Sequence, residues 1–187
     1  MPAKLNRSEK LYEGRVFRLI RENITLENGV TVDMDLVRHP GAAAIVPLSE
    51  DHSVVLIRQY RHAVGRFIWE IPAGTLNPHE KPLECARREL AEEAGYTAGE
   101  WRKLGEITPV PGYSDERIHI FMATRLVPSV QNLDRDEVLD VHEMEFEEAM
   151  EMIHKGQIQD AKTLSGLFLA GYWLENRMRS AKTGSPG

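Results

Sequence analysis

Residues 74–96 read GTLNPHEKPLECARRELAEEAGY, and the spacing of their acids decides how the rest of the chain is read. On a helix over 81–94 at roughly 100° per residue, with Glu89 as zero, Glu92 falls near ~300° and Glu93 near ~40°. Three carboxylates therefore share one face. Leu83, Ala86, Leu90 and Ala94 fall between roughly 60° and 140° on the same wheel, an apolar stripe that can bury itself and hold the acidic face still. Like charges at these spacings repel by about 0.2–0.5 kcal/mol per pair, so the cluster costs helix stability that divalent cations would offset.

The helix carries its own boundaries. Pro82 suits a first turn, where its missing N–H would have had no partner, and Glu84 sits where the N-terminal dipole favours negative charge. Gly95 can take the left-handed conformation that closes a helix without a Cβ penalty. Residues 74–78 are turn material. The local order is then strand, loop, helix, with the carboxylates displayed beside the loop.

Most charged helical faces are simply solvated. The longer pattern argues otherwise: Gly74, Glu80, Arg88, Glu89, Glu92, Glu93 and Gly95, each drawn at roughly 7% frequency, coincide by chance on the order of once in 10⁸ trials. Together they match the Nudix box, Gly-x5-Glu-x7-Arg-Glu-apolar-x-Glu-Glu-x-Gly-apolar, and the chain resembles the Nudix hydrolases. The one departure is Tyr96, at a position that is usually aliphatic. The resemblance implies an α/β fold, an α/β/α sandwich around a mixed sheet. It also implies Mg²⁺- or Mn²⁺-dependent cleavage of a nucleoside diphosphate linked to another moiety. Glu89 and Glu93 then resemble the main metal ligands, Glu92 a further ligand or water-bridged partner, and the carbonyl of Ala73 an additional contact to metal. Arg88 resembles the residue that orients the carboxylates, and Glu80 the one that braces loop against helix.

The residue types suit that chemistry on their own terms. A diphosphate resists hydrolysis because its negative oxygens repel an incoming nucleophile, and the hard cations that relieve this repulsion prefer oxygen ligands such as Glu carboxylates. The one cysteine, Cys85, reads as a small packed residue in the helix. The seven histidines show no metal-ligand spacing.

The chain has 187 residues, enough for one domain with or without an arm, and 42% of them are hydrophobic, enough for a sizeable core. A net charge of −6 argues against a nucleic-acid partner, which calls for a basic patch. A single cysteine excludes an internal disulfide, MPAKLNRSEK has no apolar signal core, and no stretch approaches the length of a membrane span. The expectation is a cytoplasmic protein without membrane association.

Segments 15–26 and 31–38 alternate around the turn at 27–29 and predict an antiparallel β hairpin. Short strands are expected at 42–47, 54–60, 67–71, 104–107 and 118–124, and further helices at 146–154 and 161–177. The chain divides accordingly into an N-terminal β arm over 1–40, a catalytic domain over 41–179, and a small polar tail over 180–187 expected to be disordered. A hairpin of that size is marginal alone. In Nudix relatives such an arm often crosses to a partner subunit, so the resemblance implies a homodimer.

Outside the box, Pro111 lies 16 residues after Gly95, an offset that in the Nudix family marks the ADP-ribose pyrophosphatases. The flanking PVPGYSDERIHIF (109–121) and LIRQYRHAVGRFIWEIPAG (56–74) are also similar to that subgroup. The implied substrate is ADP-ribose or a related nucleoside diphosphate sugar, cleaved by water at one phosphorus to give AMP and ribose 5-phosphate. Among Arg58, Arg61 and Arg66, Arg61 best matches the subgroup's diphosphate contact, since a planar guanidinium forks onto phosphate oxygens. Trp69 and Tyr60 either stack on the base or support the core, and Glu70 lines the site or reaches a sugar hydroxyl. A carboxylate must accept the proton of the attacking water. In the subgroup it stands on a loop that corresponds to QNLDRDEVLD (131–140), where Glu137 is the first choice and Asp136 the second. Glu116, in the Pro111 loop, resembles a further site-lining acid. Three other readings remain: a GDP- or UDP-hexose pyrophosphatase with the same catalytic residues, a non-catalytic nucleotide-sugar sensing module, which would typically have lost acids of the box, and a purely structural protein with a solvated acidic helix.

Overall fold

The segment AAAIVP, Ala42–Pro47, is buried at every position, and its alternating side chains enter two different cores. Ala42, Ala44 and Val46 meet Leu56, Ile120 and Leu167 on one side, while Ala43 and Ile45 meet Cys85, Ala86 and Leu90 on the other. Successive side chains of a strand point to opposite faces, so a strand covered on both must be apolar throughout.

The computed structural model describes residues 2–183. In chain order its elements are β1 (Ala3–Glu13), β2 (Arg18–Leu26), β3 (Thr31–Arg38), β4 (Ala42–Pro47), β5 (Ser53–Arg61), β6 (Arg66–Glu70), β7 (Ala73–Thr75), α1 (Pro82–Ala94), β8 (Tyr96–Ile107), β9 (Ile118–Pro128), β10 (Leu139–Glu145), α2 (Phe146–His154) and α3 (Ala161–Thr183). The central sheet runs β7-β4-β9-β8, with β4 and β9 parallel and the other pairs antiparallel. A second sheet, β10-β5-β6, is antiparallel. Helix α1 covers one face through Cys85, Ala86, Leu90 and Ala94. Helices α2 and α3 cover the other through Phe146, Ala149, Met152, Leu167 and Ala170. This is the α/β/α sandwich with a mixed sheet that the sequence implies.

The N-terminal arm is one strand larger than the expected hairpin. β1 pairs antiparallel with β2, and β2 with β3. The sequence of β1, AKLNRSEKLYE, is almost wholly exposed, so it needs no period-two apolar pattern and displays none. β2 begins at Arg18 rather than at 15, because 14–17 form the turn closed by Gly14 N–H to the Phe17 carbonyl, 2.9 Å. The arm joins the rest of the chain through Val37 N–H to the Tyr113 carbonyl, 2.7 Å, and through Arg38, which pairs with Glu22 at 3.0 Å and Asp115 at 3.2 Å.

At the other end α3 continues through Thr183, so 180–183, expected in the disordered tail, are helical. Residues 184–187 of that tail lie outside the described residues. Among the described residues no helix is long and apolar enough to cross a membrane.

Candidate active site

Helix α1 starts at Pro82, where Glu84 Oε2 accepts the Lys81 N–H at 3.2 Å, and stops at Gly95, whose φ of 71° lets its N–H reach the Ala91 carbonyl at 3.1 Å. Between these ends the buried surface is wider than the apolar stripe. Glu89 is 7% exposed and Glu93 only 1%. Burial pushes the Glu89 carboxyl up to about 7, and burial plus the neighbouring Glu89 charge pushes Glu93 up to about 8. Glu93 Oε2 accepts the Ala73 N–H at 2.8 Å, which ties β7 to the helix.

Two neighbours fix the other acids. Gly74 lies so close to Glu89 that an added Cβ would stand 1.7 Å from Oε1; only glycine leaves the carboxylate its place. Arg88 forks onto Glu80 at 2.9 and 3.0 Å and reaches Glu89 at 2.5 Å and Glu92 at 3.0 Å. Glu80 also accepts the Asn77 N–H at 2.9 Å, and the Arg88 guanidinium holds its carboxyl below the ordinary range.

These groups open onto a cleft of about 880 Å³ lined by Glu89, Glu92, Glu93, Glu137, Arg61 and Glu116, among others. Among the described residues no three His, Cys, Asp or Glu side chains already converge as a metal cage, because Arg88 draws Glu89 and Glu92 while Ala73 engages Glu93. The donor set nevertheless suits a hard divalent ion: carboxylate oxygens on one wall, with Glu89 seated where a Cβ would stand. No soft ligand competes. Cys85 is buried, and burial pushes its thiol up to about 12.

The loop after β9 is tied to the end of α1. Gln131 Nε2 donates to the Glu93 carbonyl at 2.6 Å and Asn132 N–H to the Glu92 carbonyl at 3.0 Å. Glu137 lines the cleft, close enough for its charge to act on both Glu89 and Glu93. Asp136, next to it, is exposed and not on the lining, and it pairs at 2.9 Å with Arg15, which is.

Several expected substrate contacts are not brought to the cleft. Tyr60 and Trp69 lie on the face of β5 and β6 opposite Arg61 and Glu70, because adjacent strand residues point apart. There Tyr60 packs on Phe67 with ring centroids 5.5 Å apart, and Trp69 meets His142 edge-on at 4.8 Å. Pro111 is exposed off the lining, and Pro109 takes a place on it. Glu70 is 1% exposed and is held by Arg61 at 2.7 and 2.8 Å and by Lys162, so it is an internal counter-ion and not a free acceptor for a sugar hydroxyl. The sequence reading missed Arg15, His39, Asp160 and Lys162, all on the lining. Lys162 alone had a local signal, a cation in the first turn of a helix, where the dipole disfavours it.

Residues 37–167 match the NUDIX domain family. The chain is 36% identical to the ADP-ribose pyrophosphatase of Bacillus subtilis (strain 168) over 157 residues, which cover 83% of this chain and 85% of that protein. It is 37% identical to the GDP-mannose pyrophosphatase of Enterobacter sp. (strain 638) across 80% of this chain and 84% of the other. A solved structure described as "Crystal structure of ADP compounds hydrolase" superposes with a TM-score of 0.84 at 25% identity, covering 95% of this chain and 96% of its own.

Proposed function

The chain belongs to the Nudix family, and we propose that it hydrolyses the diphosphate bridge of ADP-ribose or a related nucleoside diphosphate sugar, giving a nucleoside monophosphate and a sugar phosphate. One observation carries this reading: a single cleft sets Glu89, Glu92, Glu93 and Glu137 together with Arg61. Acids of that kind suit a divalent ion, and a guanidinium suits phosphate oxygens.

As a Nudix pyrophosphohydrolase it uses a divalent metal, in our reading Mg²⁺, with Mn²⁺ as a substitute. Glu89 and Glu93 are its main ligands, and Glu92 and the Ala73 carbonyl are further ones. Bound there, the ion supplies charge stabilisation on the diphosphate oxygens and a lowered pKa for water. The chain's own groups do the rest. Arg61 forks onto the diphosphate, Arg88 keeps the carboxylates spaced, and Glu137 accepts the proton of the attacking water. Glu137 is preferred to Asp136 because it lines the cleft while Asp136 is paired with Arg15. Positioning and electrostatics account for most of the acceleration. A GDP- or UDP-hexose would keep every one of these roles, and the similarity to a GDP-mannose pyrophosphatase favours it as the second reading.

Residues 1–40 serve as a dimerisation arm for the catalytic domain over 41–179, in a cytoplasmic homodimer. Leu5, Tyr12 and Val30 are each about half exposed on that arm, at 54%, 57% and 49%, apolar side chains distributed over both of its faces and of the kind that a second copy would cover. The test of the activity is a hydrolysis screen of ADP-ribose, NADH, diadenosine polyphosphates and several nucleoside diphosphate hexoses, with product identification. Mg²⁺-dependent release of AMP and ribose 5-phosphate is expected. Release from none of them, with either ion, sinks the proposal.

A further inference from the structure

We propose that the far end of the central sheet carries a second ligand site, separate from the catalytic cleft, that takes a nucleoside monophosphate between Trp173 and the guanidiniums of Arg125 and Arg177. The inference goes beyond the hydrolase reading and does not depend on it, although the monophosphate released in that reaction belongs to the same class.

Strands β4 and β9 lie parallel, and their first residues, Ala42 and Ile118, line the catalytic cleft. At the opposite end Leu48 and Thr124 open onto another cavity, of about 500 Å³, within the roughly 300–1,000 Å³ of small-molecule sites. The strand from residue 42 to residue 48, at roughly 3.3 Å per residue, sets the two about 20 Å apart. Helix α3 contributes Trp173, Leu174 and Arg177 to the second cavity, the turn between β4 and β5 contributes Glu50 and His52, and β8 contributes Glu100.

Two of the lining residues are held in a backbone conformation that favours glycine. His52, with φ of 67°, and Arg125, with φ of 57°, are two of the three non-glycine residues at positive φ among the described residues. His52 ends a three-residue hairpin loop, closed by Ser49 N–H to the Ser53 carbonyl at 2.9 Å and His52 N–H to the Ser49 carbonyl at 3.2 Å; that position ordinarily goes to glycine. Arg125 lies within β9. Alternation sends Ile118, Ile120 and Met122 to the α3 side and Phe121 and Ala123 to the α1 side, so Arg125 should follow the latter pair. Its left-handed backbone instead brings it to the same cavity as its neighbour Thr124, and Leu126 packs on the α1 side. Gly99 stands opposite, where a Cβ would come within 3.2 Å of the Arg125 Cβ. Such irregularities persist where they re-aim a side chain. Here two segments distant in sequence carry them at one cavity.

The side chains select the ligand. Arg102 lies 5.3 Å and Arg177 5.2 Å from the centroid of the Trp173 ring. Of these two only Arg177 lines the cavity, so an entering ring can stack between indole and guanidinium. Arg125 is matched by Glu100 at 3.1 Å, whereas Arg177 has no carboxylate partner among the described residues. One uncommitted guanidinium suits one phosphate. Glu50 and Glu100 can accept from ribose hydroxyls or base N–H groups, and Leu48, Leu174 and the indole give a base an apolar seat. A free base would leave Arg177 unused, and inorganic phosphate would leave Trp173 unused.

The chain has three tryptophans, so ¹⁹F spectra of the 5-fluorotryptophan protein resolve the site directly, with Trp173→Phe assigning its resonance. The catalytic cleft is first saturated with Mg²⁺ and an ADP-ribose analogue that has a methylene in place of the bridging oxygen. Added AMP should then shift the Trp173 resonance to saturation. Arg177→Gln should weaken that binding about tenfold or more, the size of one lost charge-assisted hydrogen bond. Arg125→Gly and His52→Gly separate a ligand role from a structural one. Glycine adopts positive φ freely, so both variants should melt no lower than the wild type, and Arg125→Gly should still bind AMP about tenfold more weakly. A Trp173 resonance unmoved by millimolar AMP overturns the proposal. So does the same saturable shift with inorganic phosphate alone, or wild-type affinity for AMP in both Arg177→Gln and Arg125→Gly.

Discussion

Replacing Gly74 with alanine tests the geometry of the acidic site with a single carbon atom. A Cβ at that position would stand 1.7 Å from Oε1 and 2.0 Å from Cδ of Glu89, where ordinary van der Waals contact begins near 3.4 Å. The carboxylate must therefore withdraw by well over 1 Å. Gly74 is not among the residues with positive φ, so alanine meets no backbone penalty there and the variant reports the clash with Glu89. Overpacking of this kind costs about 1–3 kcal/mol, a loss that a fold stable by about 5–15 kcal/mol survives. Displacing a reacting or ligating group by ~1 Å can cost about 100-fold in rate. Gly74→Ala should thus melt cooperatively near the wild-type temperature, yet release AMP from ADP-ribose about 100-fold more slowly and need more Mg²⁺ for half-saturation. Adding Glu89→Gln should cost little more, since the same carboxylate has already been displaced. A Gly74→Ala enzyme with wild-type turnover and wild-type Mg²⁺ requirement would refute the placement of Glu89 at the centre of the metal site.

Other perturbations probe the same arrangement from different sides. Glu93→Gln should lower turnover by at least about 100-fold without unfolding the protein; near-normal turnover would rule out Glu93 as a ligand. Arg88→Lys should weaken both stability and Mg²⁺ binding, because one ammonium cannot replace a planar fork that serves Glu80, Glu89 and Glu92 at once; calorimetry of Mg²⁺ binding beside a thermal melt checks both. For pH, burial places Glu89 at about 7 and Glu93 at about 8 in the metal-free protein, against about 4.3 for glutamate in an unfolded chain. The folded protein then holds the extra protons, so this contribution to stability is full below about pH 4.3 and is lost as pH rises toward 8. The metal-free melting temperature should fall across that window more in the wild type than in Glu93→Gln, and saturating Mg²⁺ should reverse the trend while releasing protons. The proposed homodimer should become a monomer by sedimentation velocity when residues 2–38 are deleted, and an unchanged oligomeric state would overturn the role proposed for the arm.

The elements legible in the sequence are those whose burial imposes a pattern. Ala42–Pro47 reads as a strand because both its faces are covered, and Pro82–Ala94 reads as a helix because its apolar positions repeat at helical spacing between Pro82 and Gly95. β1 left no pattern, since an exposed strand held by edge pairing selects no apolar face. At the site, acids on one helix could be grouped by angle alone. Tyr60 and Trp69 could not be separated from Arg61 and Glu70 by proximity in sequence, and strand alternation sends them to the opposite face. Lys162 joins Arg61 from about a hundred residues away, through a connection made by Glu70. No spacing rule spans that distance.

The acidic face poses an electrostatic problem that Arg88 resolves from within the chain. Its guanidinium is anchored on the loop side by two bonds to Glu80 and by the Thr75 carbonyl at 3.3 Å, and Glu80 is itself fixed by the Asn77 N–H. From that anchor it reaches Glu89 and Glu92, so the repulsion between two of the three face carboxylates is countered without an ion, while Glu93 leans on the Ala73 N–H. This accounts for a helix that forms with its acids drawn toward a guanidinium instead of toward a common centre. Each carboxylate carries a second oxygen, and the two bonds to Glu80 can keep Arg88 in place while Glu89 and Glu92 turn toward an arriving cation. A guanidinium divides five donors among fixed directions, which a flexible ammonium cannot. The arginine of the box is therefore as much a part of the metal-free fold as of the site that the metal completes.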